Sequence, residues 1–298
     1  MLPKFLVKNV PKQKNIRKIR QLIGDSHLHT VCESASCPNV GECFSKNTLT
    51  FMILGNTCTR SCAFCGVGKG TTSPPDPLEP AAIAEAVKKL GLDYVVITSV
   101  TRDDLPDGGA EQFSKVIRNL RLSSRGGSAF GGKVSVPHTP KVEVLIPDFQ
   151  GNIKSLQTVL DAKPYVLNHN IETVPRLYPK IRPQANYQQS LKILENAKKI
   201  DKNIFTKSGF MVGLGEDRAE IEQVLEALRG VTCDIVTIGQ YLPPSRTHLK
   251  PDRYVEPAEF AEFTSLGEKM GFKKVFAGPF VRSSYHAGEL IKCRKPKD

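Results

Sequence analysis

Six apolar strand patterns alternate with six helical patterns between residues 50 and 270, and this alternation constrains the fold more than any other feature of the chain. The strand patterns cover residues 50–54, 94–98, 142–146, 165–169, 205–212 and 235–240. The helical patterns cover residues 80–90, 109–120, 153–160, 187–200, 217–228 and 257–270. Strand–helix units that follow one another in this way predict an α/β fold with a parallel sheet.

The predicted sheet can be arranged in two ways. A curled sheet gives a partial (β/α)6 TIM-type barrel, which we predict, and a doubly wound sheet is the alternative that periodicity does not exclude. Residues 1–49 then form an N-terminal extension, residues 50–270 the barrel, and residues 271–298 a C-terminal extension. In both arrangements ligands bind at the carboxyl ends of the strands, so we expect functional residues there.

Three cysteines with CxxxCxxC spacing follow the first predicted strand directly. We call Cys58, Cys62 and Cys65 the strand triplet. Three thiolates are one short of the usual complement of a [4Fe–4S] cubane, so one iron would be open to another ligand. Phe64, between two of the cysteines, would give an apolar wall. A zinc site is the alternative, although zinc normally takes four ligands, often in CxxC pairs.

A second group, Cys32, Cys37 and Cys43, lies upstream with CxxxxCxxxxxC spacing, and we call it the N-terminal triplet. Clustered thiols in a chain of this length favour metal ligands over disulfides. The spacing alone leaves a second Fe–S cluster and a zinc loop open. We expect Cys233 to be a packed thiol and Cys293 a solvated one, so neither is an obvious fourth ligand.

Further motifs accompany the cysteines along most of the chain. They are CESASCPNVGEC, GNTCTRSCAFC, TSVTRDDLPDGGA, VLIPDFQG, LNHNIETV, SGFMVGLGE, QYLPPSRTHLKPDRYVEPAEF and, near residue 283, RSSYHA. The CxxxCxxC triplet resembles the signature of the radical S-adenosylmethionine superfamily. The whole set, from about residue 19 to residue 290, resembles the lipoyl synthase family. The Gly- and Ser-rich stretch 121–140 departs from that family's pattern, and we expect it to form a flexible surface loop.

The resemblance implies two [4Fe–4S] clusters and S-adenosylmethionine as cofactors. The strand triplet would bind the radical-generating cluster, whose open iron S-adenosylmethionine chelates. The N-terminal triplet would bind an auxiliary cluster that is consumed as it supplies sulfur to C6 and C8 of a protein-bound octanoyl chain. Its fourth ligand in the family is a serine, which corresponds to Ser283, with Ser284 as the neighbour open to confusion.

The resemblance also directs attention to the strand ends as contacts for S-adenosylmethionine. The candidates are Phe64, Thr101, Asp103, Asp104, Asn170, Glu172, Lys207, Met211 and Gly213. The alternatives are a polar turn around Asp104, a capping role for Asn170 and a surface position for Lys207. Glu172 is harder to explain structurally, because a buried carboxylate needs a partner.

The net charge of +12 permits nucleic acid as a partner, but it is spread along the chain and accompanied by few aromatic residues. We therefore predict no nucleic acid partner and, because no apolar run approaches 18 residues, no membrane. We expect a reducing compartment, the cytoplasm. The resemblance implies octanoylated lipoyl-carrier domains or glycine-cleavage H protein as substrates, and an electron donor such as flavodoxin or ferredoxin. The competing functions are a two-cluster methylthiotransferase and a zinc-stapled binding module.

Overall fold

The computed structural model describes residues 2–8, 13–46, 48–123, 139–285 and 287–288. Cys293 and most of the 121–140 stretch, both subjects of predictions from the sequence, lie outside these residues. Within the described residues, no helix has both the length and the apolar character needed to cross a membrane.

One sheet of eight strands organises the described part of the chain. Its first strand pairs antiparallel with the second, and the other neighbours pair in parallel. In spatial order the strands are β1 (His29–Thr30), β2 (Thr50–Ile53), β5 (Tyr94–Ser99), β6 (Lys141–Leu145), β7 (Val166–Asn168), β8 (Phe205–Val212), β9 (Ile235–Gln240) and β10 (Lys274–Gly278). A separate two-stranded ribbon pairs β3 (Thr57–Cys58) with β4 (Gly68–Lys69).

Helices connect the parallel strands and precede the sheet. The α-helices are α1 (Gln13–Asp25), α2 (Val31–Ser34), α3 (Val40–Ser45), α4 (Glu79–Leu90), α5 (Ala110–Ser123), α6 (Ile153–Asp161), α7 (Tyr178–Ile181), α8 (Tyr187–Ile200), α9 (Arg218–Gly230) and α10 (Pro257–Lys269). Short 3-10 turns cover Lys4–Leu6, Phe149–Gly151 and Pro175–Leu177. The helix ends follow local chemistry: Gly91 ends α4 with a φ of 62°, and Asp217 caps α9.

The strand order decides between the two predicted arrangements. Each parallel strand from β2 onward pairs with the next sheet strand along the chain, so the order never reverses. A doubly wound sheet requires a reversal, whereas a curled barrel-type sheet does not. The doubly wound alternative is therefore wrong, and the predicted α/β partial barrel agrees with the sheet.

The parallel sheet is one strand longer than the prediction. Beyond residue 270 the chain turns at Gly271, with a φ of 84°, and enters β10, which pairs with β9 along its full length. Lys274–Gly278 is only five residues long and its sequence, KVFAG, carries little periodicity. The strand matters for the site because it leads directly into the RSSY segment.

Apolar side chains fill the space between the sheet and the helices. Ile97 and Val144 on neighbouring strands are completely buried, as are Phe113 and Ile117 on α5. Burying each such side chain contributes about 2 kcal/mol relative to exposure. This core fixes the strands and so fixes the positions of the loops at their carboxyl ends.

Candidate active site

Five of the six triplet cysteines line one cavity of about 330 Å³ at the carboxyl ends of the strands. Cys32 and Cys37 line it from the N-terminal side, and all three cysteines of the strand triplet line it from β3 and the loop that follows. Cys43 packs beside them against the core. The structure thus brings together two groups that are separate in sequence.

The cysteines of both triplets are free thiols, of which Cys32 is buried and the other five are half-buried. Burial raises the pKa of Cys32 to about 12 and the pKa values of Cys43 and Cys65 to about 11. Burial also raises the pKa of Cys62. These thiols are therefore neutral near pH 7, and iron must displace their protons when it binds.

The donor set fits iron–sulfur clusters. Among the described residues, no three or more His, Cys, Asp or Glu side chains are placed to hold a single metal ion. A cubane makes a different demand, since its thiolates bind separate irons. Cys233 takes no part: it is fully buried in the core, where its Sγ lies 3.3 Å from the carbonyl oxygen of Ile235, as expected for a packed thiol.

The loop of the strand triplet is bonded to its neighbours through the backbone. The Cys58 Sγ accepts hydrogen bonds from the N–H groups of Thr101, at 3.3 Å, and Arg60, at 3.4 Å. The Thr59 N–H donates to the carbonyl of Thr101 at 3.0 Å, and the Ala63 N–H donates to the carbonyl of Ile181 at 2.9 Å. The ends of β5 and α7 therefore fix the loop.

Arg60, inside the CxxxCxxC loop, is the strongest of these anchors. Its guanidinium donates to Asp103 at 2.6 and 2.8 Å and to Asp148 at 2.7 and 2.9 Å. Burial alone would raise the pKa of Asp148, but Arg60 outweighs it and lowers that pKa to about 2. Neither Arg60 nor Asp148 was predicted from the sequence. The signals were present: an arginine between ligand cysteines and an aspartate at the end of β6.

A cradle of polar groups lies where β7 and β8 end. The Asn170 amide donates to Glu172 at 3.0 Å, and the Arg182 guanidinium donates to the carbonyls of Asn170 and Ile171 at 3.1 Å each. Burial raises the pKa of Glu172 despite Arg182 nearby. Glu172 also has a φ of 69°, a conformation that costs energy for a side chain of this size.

Several buried atoms of this cradle have no protein partner. They include the Asn170 Oδ1, the Arg182 Nε and the His169 Nε2, and all three residues line the cavity. Buried polar groups are rarely left unpaired, so these atoms fit a polar ligand. A carboxyl–ammonium pair such as the methionine moiety of S-adenosylmethionine matches a guanidinium beside a carboxylate. Arg182 was not predicted from the sequence.

The structure separates the remaining candidate contacts into two groups. Phe64, Thr101 and Met211 line the cavity together with Asn170 and Glu172. The side chains of the others are engaged elsewhere: Asp103 with Arg60, Asp104 with Arg102 and Thr72, and Lys207 with Glu143.

Lys207 and Gly213 show why position along a strand misleads. The Lys207 ammonium is fully buried inside the barrel, 2.9 Å from Glu143. It therefore lies neither on the surface nor at the cavity, the two positions that the sequence left open. Gly213 has a φ of 90°, and a Cβ there would lie 2.5 Å from the carbonyl oxygen of Arg253. The structure places neither residue at the cavity wall.

The segment after β10 closes the cavity from the side of the N-terminal triplet. Val281, Arg282, Ser283 and Ser284 all line it. Burial lowers the pKa of Arg282. Both serines face the same space, so the choice of Ser283 as ligand stays a prediction.

Comparison with known proteins agrees with this geometry. Residues 52–228 match the radical SAM superfamily. The chain is 50% identical over 274 residues to the lipoyl synthase of Caldanaerobacter subterraneus subsp. tengcongensis, which covers 92% of each chain. It is 51% identical over 286 residues to the lipoyl synthase of Aquifex aeolicus, which covers 96% of this chain and 99% of that one.

Solved structures with low sequence identity share the fold. The Streptococcus suis protein SuiB bound to S-adenosylmethionine aligns with a TM-score of 0.57 and 11% identity, over 80% of this chain and 53% of that one. Methylornithine synthase aligns with a TM-score of 0.52 and 13% identity, over 83% and 76%. These likenesses confirm the predicted α/β partial barrel. Together with the sequence relatives, they show that the chain belongs to the radical S-adenosylmethionine superfamily and, within it, to the lipoyl synthase family.

Proposed function

We propose that this chain is a lipoyl synthase, a radical sulfur-inserting enzyme that converts a protein-bound octanoyl chain into the lipoyl cofactor by adding sulfur at C6 and C8. One observation carries the proposal: cysteines of both triplets, five of the six, and the serines of the RSSY run line the same cavity. A single radical-generating cluster would need only one triplet. A second thiol set facing the same space suits a sulfur donor within reach of the substrate.

The residues at the cavity divide by the group that they would hold. Cys58, Cys62 and Cys65 would bind one [4Fe–4S] cluster, and Cys32, Cys37, Cys43 and Ser283 the other. When bound, the first cluster and S-adenosylmethionine supply a carbon-centred radical that abstracts hydrogen atoms, and the second cluster supplies sulfur. In this proposal, residues 1–49 carry the auxiliary ligands, the radical barrel begins at residue 50 and extends past residue 270 to include β10, and the segment after β10 provides the serine.

The polar cradle would orient S-adenosylmethionine. The Arg182 Nε, which has no protein partner, would face the carboxylate of the methionine moiety, and Glu172 with Asn170 would face its ammonium. Arg60 would keep the strand triplet in place through Asp103 and Asp148. Such preorganisation lets the bound groups react without first reorganising their surroundings.

The apolar part of the wall suits an alkyl chain. Met52, Leu145, Ile146, Tyr241 and Leu242 line the same cavity as the two triplets. Contact with these side chains would bury an octanoyl group and exclude water from the radical. The carrier would be an octanoylated lipoyl domain or glycine-cleavage H protein, and the electrons would come from a donor such as flavodoxin or ferredoxin in the cytoplasm.

Anaerobic reconstitution with iron and sulfide tests the proposal. The protein should bind about eight irons in two cubanes and should convert an octanoylated lipoyl domain to its lipoyl form in the presence of S-adenosylmethionine and a reductant. Cys233→Ala is a matched control, because that thiol lies outside the cavity. A colourless protein that takes up zinc and yields no lipoyl product would contradict the assignment.

A further inference from the structure

The segment that carries Ser283 and Ser284 is attached to the N-terminal extension by a set of contacts that we call the clasp. It consists of Lys8, Asn39, Glu42, Phe280 and Tyr285. The Asn39 amide donates to the carbonyl of Phe280 at 2.7 Å, and the Tyr285 hydroxyl donates to Glu42 at 3.2 Å. The clasp therefore joins chain regions that are about 240 residues apart in sequence.

Lys8 connects the two contacts. Its ammonium donates to the Asn39 Oδ1 at 2.5 Å and to Glu42 at 2.7 Å. It also lies 4.5 Å from the centre of the Phe280 ring and 5.4 Å from that of Tyr285, within cation–π range. One cation thus contacts both sides of the junction. Hydrogen bonds from Lys8 and then Lys46 lower the pKa of Glu42 to about 2, so its carboxylate stays charged near pH 7.

The position of the clasp relates it to the N-terminal triplet. Asn39 precedes α3 and Glu42 lies within it, so both fall between Cys37 and Cys43. On the other side, Phe280 comes three residues before Ser283, and Tyr285 comes two residues after it. The clasp therefore binds the serine segment at both ends. It attaches the segment to the side chains of Asn39 and Glu42, which lie between two predicted cluster ligands in the sequence.

We propose that the clasp positions the serine segment as the fourth side of the auxiliary cluster site, an inference that rests on the proposed function. A serine hydroxyl is a weaker iron ligand than a thiolate. Attaching both ends of its segment raises the effective concentration of the hydroxyl at the cluster. If the hydroxyl came off the iron, the two attachments would keep it close enough to bind again. Lys8, Glu42 and Tyr285 are positioning residues in this scheme.

The first test uses the metal-free protein and an arginine-specific protease, with cleavage after Arg282 followed by mass. Glu42→Gln and Tyr285→Phe each remove part of the clasp without removing a ligand. Each should speed this cleavage about five- to tenfold, the effect expected for losing one such hydrogen bond. Glu33→Gln is the matched control, because Glu33 pairs with Arg20 within the N-terminal extension, and it should leave the rate unchanged. Equal rates in all variants would overturn the clasp.

The second test uses reconstituted protein and a chelator. Auxiliary-cluster iron, resolved by Mössbauer spectroscopy, should be released about five- to tenfold faster from the Glu42→Gln and Tyr285→Phe variants, and iron of the strand-triplet cluster at the wild-type rate. The double variant should release auxiliary-cluster iron little faster than either single variant, since both changes act on the same contact between Tyr285 and Glu42. Faster cleavage with unchanged iron release would overturn the positioning role. A wild-type protein with only one cluster would instead contradict the proposed function, which keeps the two failures distinct.

Discussion

The two cysteine triplets share a cavity but differ in what surrounds them. The strand triplet lies in a loop that the barrel fixes. Arg60 is buried between two carboxylates, and backbone hydrogen bonds join the loop to Thr101, after β5, and to Ile181, at the end of α7. The N-terminal triplet lies in an extension, and the clasp that closes its site is partly exposed, at 26% for Lys8 and 28% for Glu42. Partly exposed ion pairs of this kind contribute about 1 kcal/mol or less each. On the proposed function, the more buried anchor would hold the radical-generating cluster, and the more exposed contacts would close the site of the cluster that supplies sulfur.

The largest expected effect comes from removing a ligand of the strand triplet. Cys62→Ala should abolish lipoyl formation, because no radical is generated, while the auxiliary cluster still binds. Iron analysis should then fall from about eight to about four per chain. Loss of all iron would show that the two sites depend on each other and would break the comparison.

The next effect separates the two serines. Ser283→Ala should lower auxiliary iron and stop sulfur insertion, while cleavage of S-adenosylmethionine at the other cluster continues. Ser284→Ala is the matched control, since both serines line the cavity. The readouts are product mass and auxiliary iron. Normal cluster content and normal sulfur insertion in the Ser283→Ala variant would refute the assignment.

A smaller effect is expected from Arg60→Lys. Lysine cannot reproduce the fork that donates to Asp103 and Asp148 together, so loop geometry should suffer even though charge is kept. We expect about a 10- to 100-fold loss in lipoyl formation, as for other residues that orient metal ligands. Exposed Arg176 makes a similar fork to Glu220, and Arg176→Lys should change little. Equal activity in both variants would mean that the barrel does not need this anchor.

The smallest effect is a pH dependence of stability. The folded pKa of Asp148 is about 2 against an ordinary 3.8, so its contribution is present above the unfolded pKa and is lost as pH falls from about 4 towards 2. The contribution is about 2 kcal/mol. In urea titrations of the metal-free protein between pH 5 and 2, the free energy of unfolding of Asp148→Asn should therefore fall less with decreasing pH than that of the wild type. An equal fall in both proteins would contradict the assigned coupling to Arg60.

Local pattern predicted most of the fold because the strands and helices obey their own periodicities. Strand β8 and helix α8 have the predicted bounds, and Gly91 ends α4 as expected. β10 was not predicted because its five residues show no alternation of polar and apolar side chains. One side of the strand faces Val281 and the other faces α10. Pairing with β9, a long-range effect, makes it a strand.

The site residues that share a characteristic sequence spacing were predictable, and those whose position depends on tertiary packing were not. Cysteine spacing predicted both triplets, and five of those cysteines line the cavity. Lys207 was nominated from its place on β8, but the buried Glu143 on β6 decides where its ammonium points. Arg60, Asp148 and Arg182 were missed because their roles depend on how loops pack. Arg60 meets Asp148 from 88 residues away, and Arg182 folds back onto two backbone carbonyls that follow β7.

The path of the chain into the clasp also has a consequence for biosynthesis. The N-terminal triplet emerges from the ribosome first, yet the segment that closes its site follows β10, after every other strand of the sheet. During translation the early cysteines therefore wait, without their fourth side, until the whole barrel has been made. The contacts that hold the loop of the strand triplet are available once Ile181 has been made, whereas the N-terminal triplet lacks its closing segment until after β10, so delivery of iron to the second site is expected to come later.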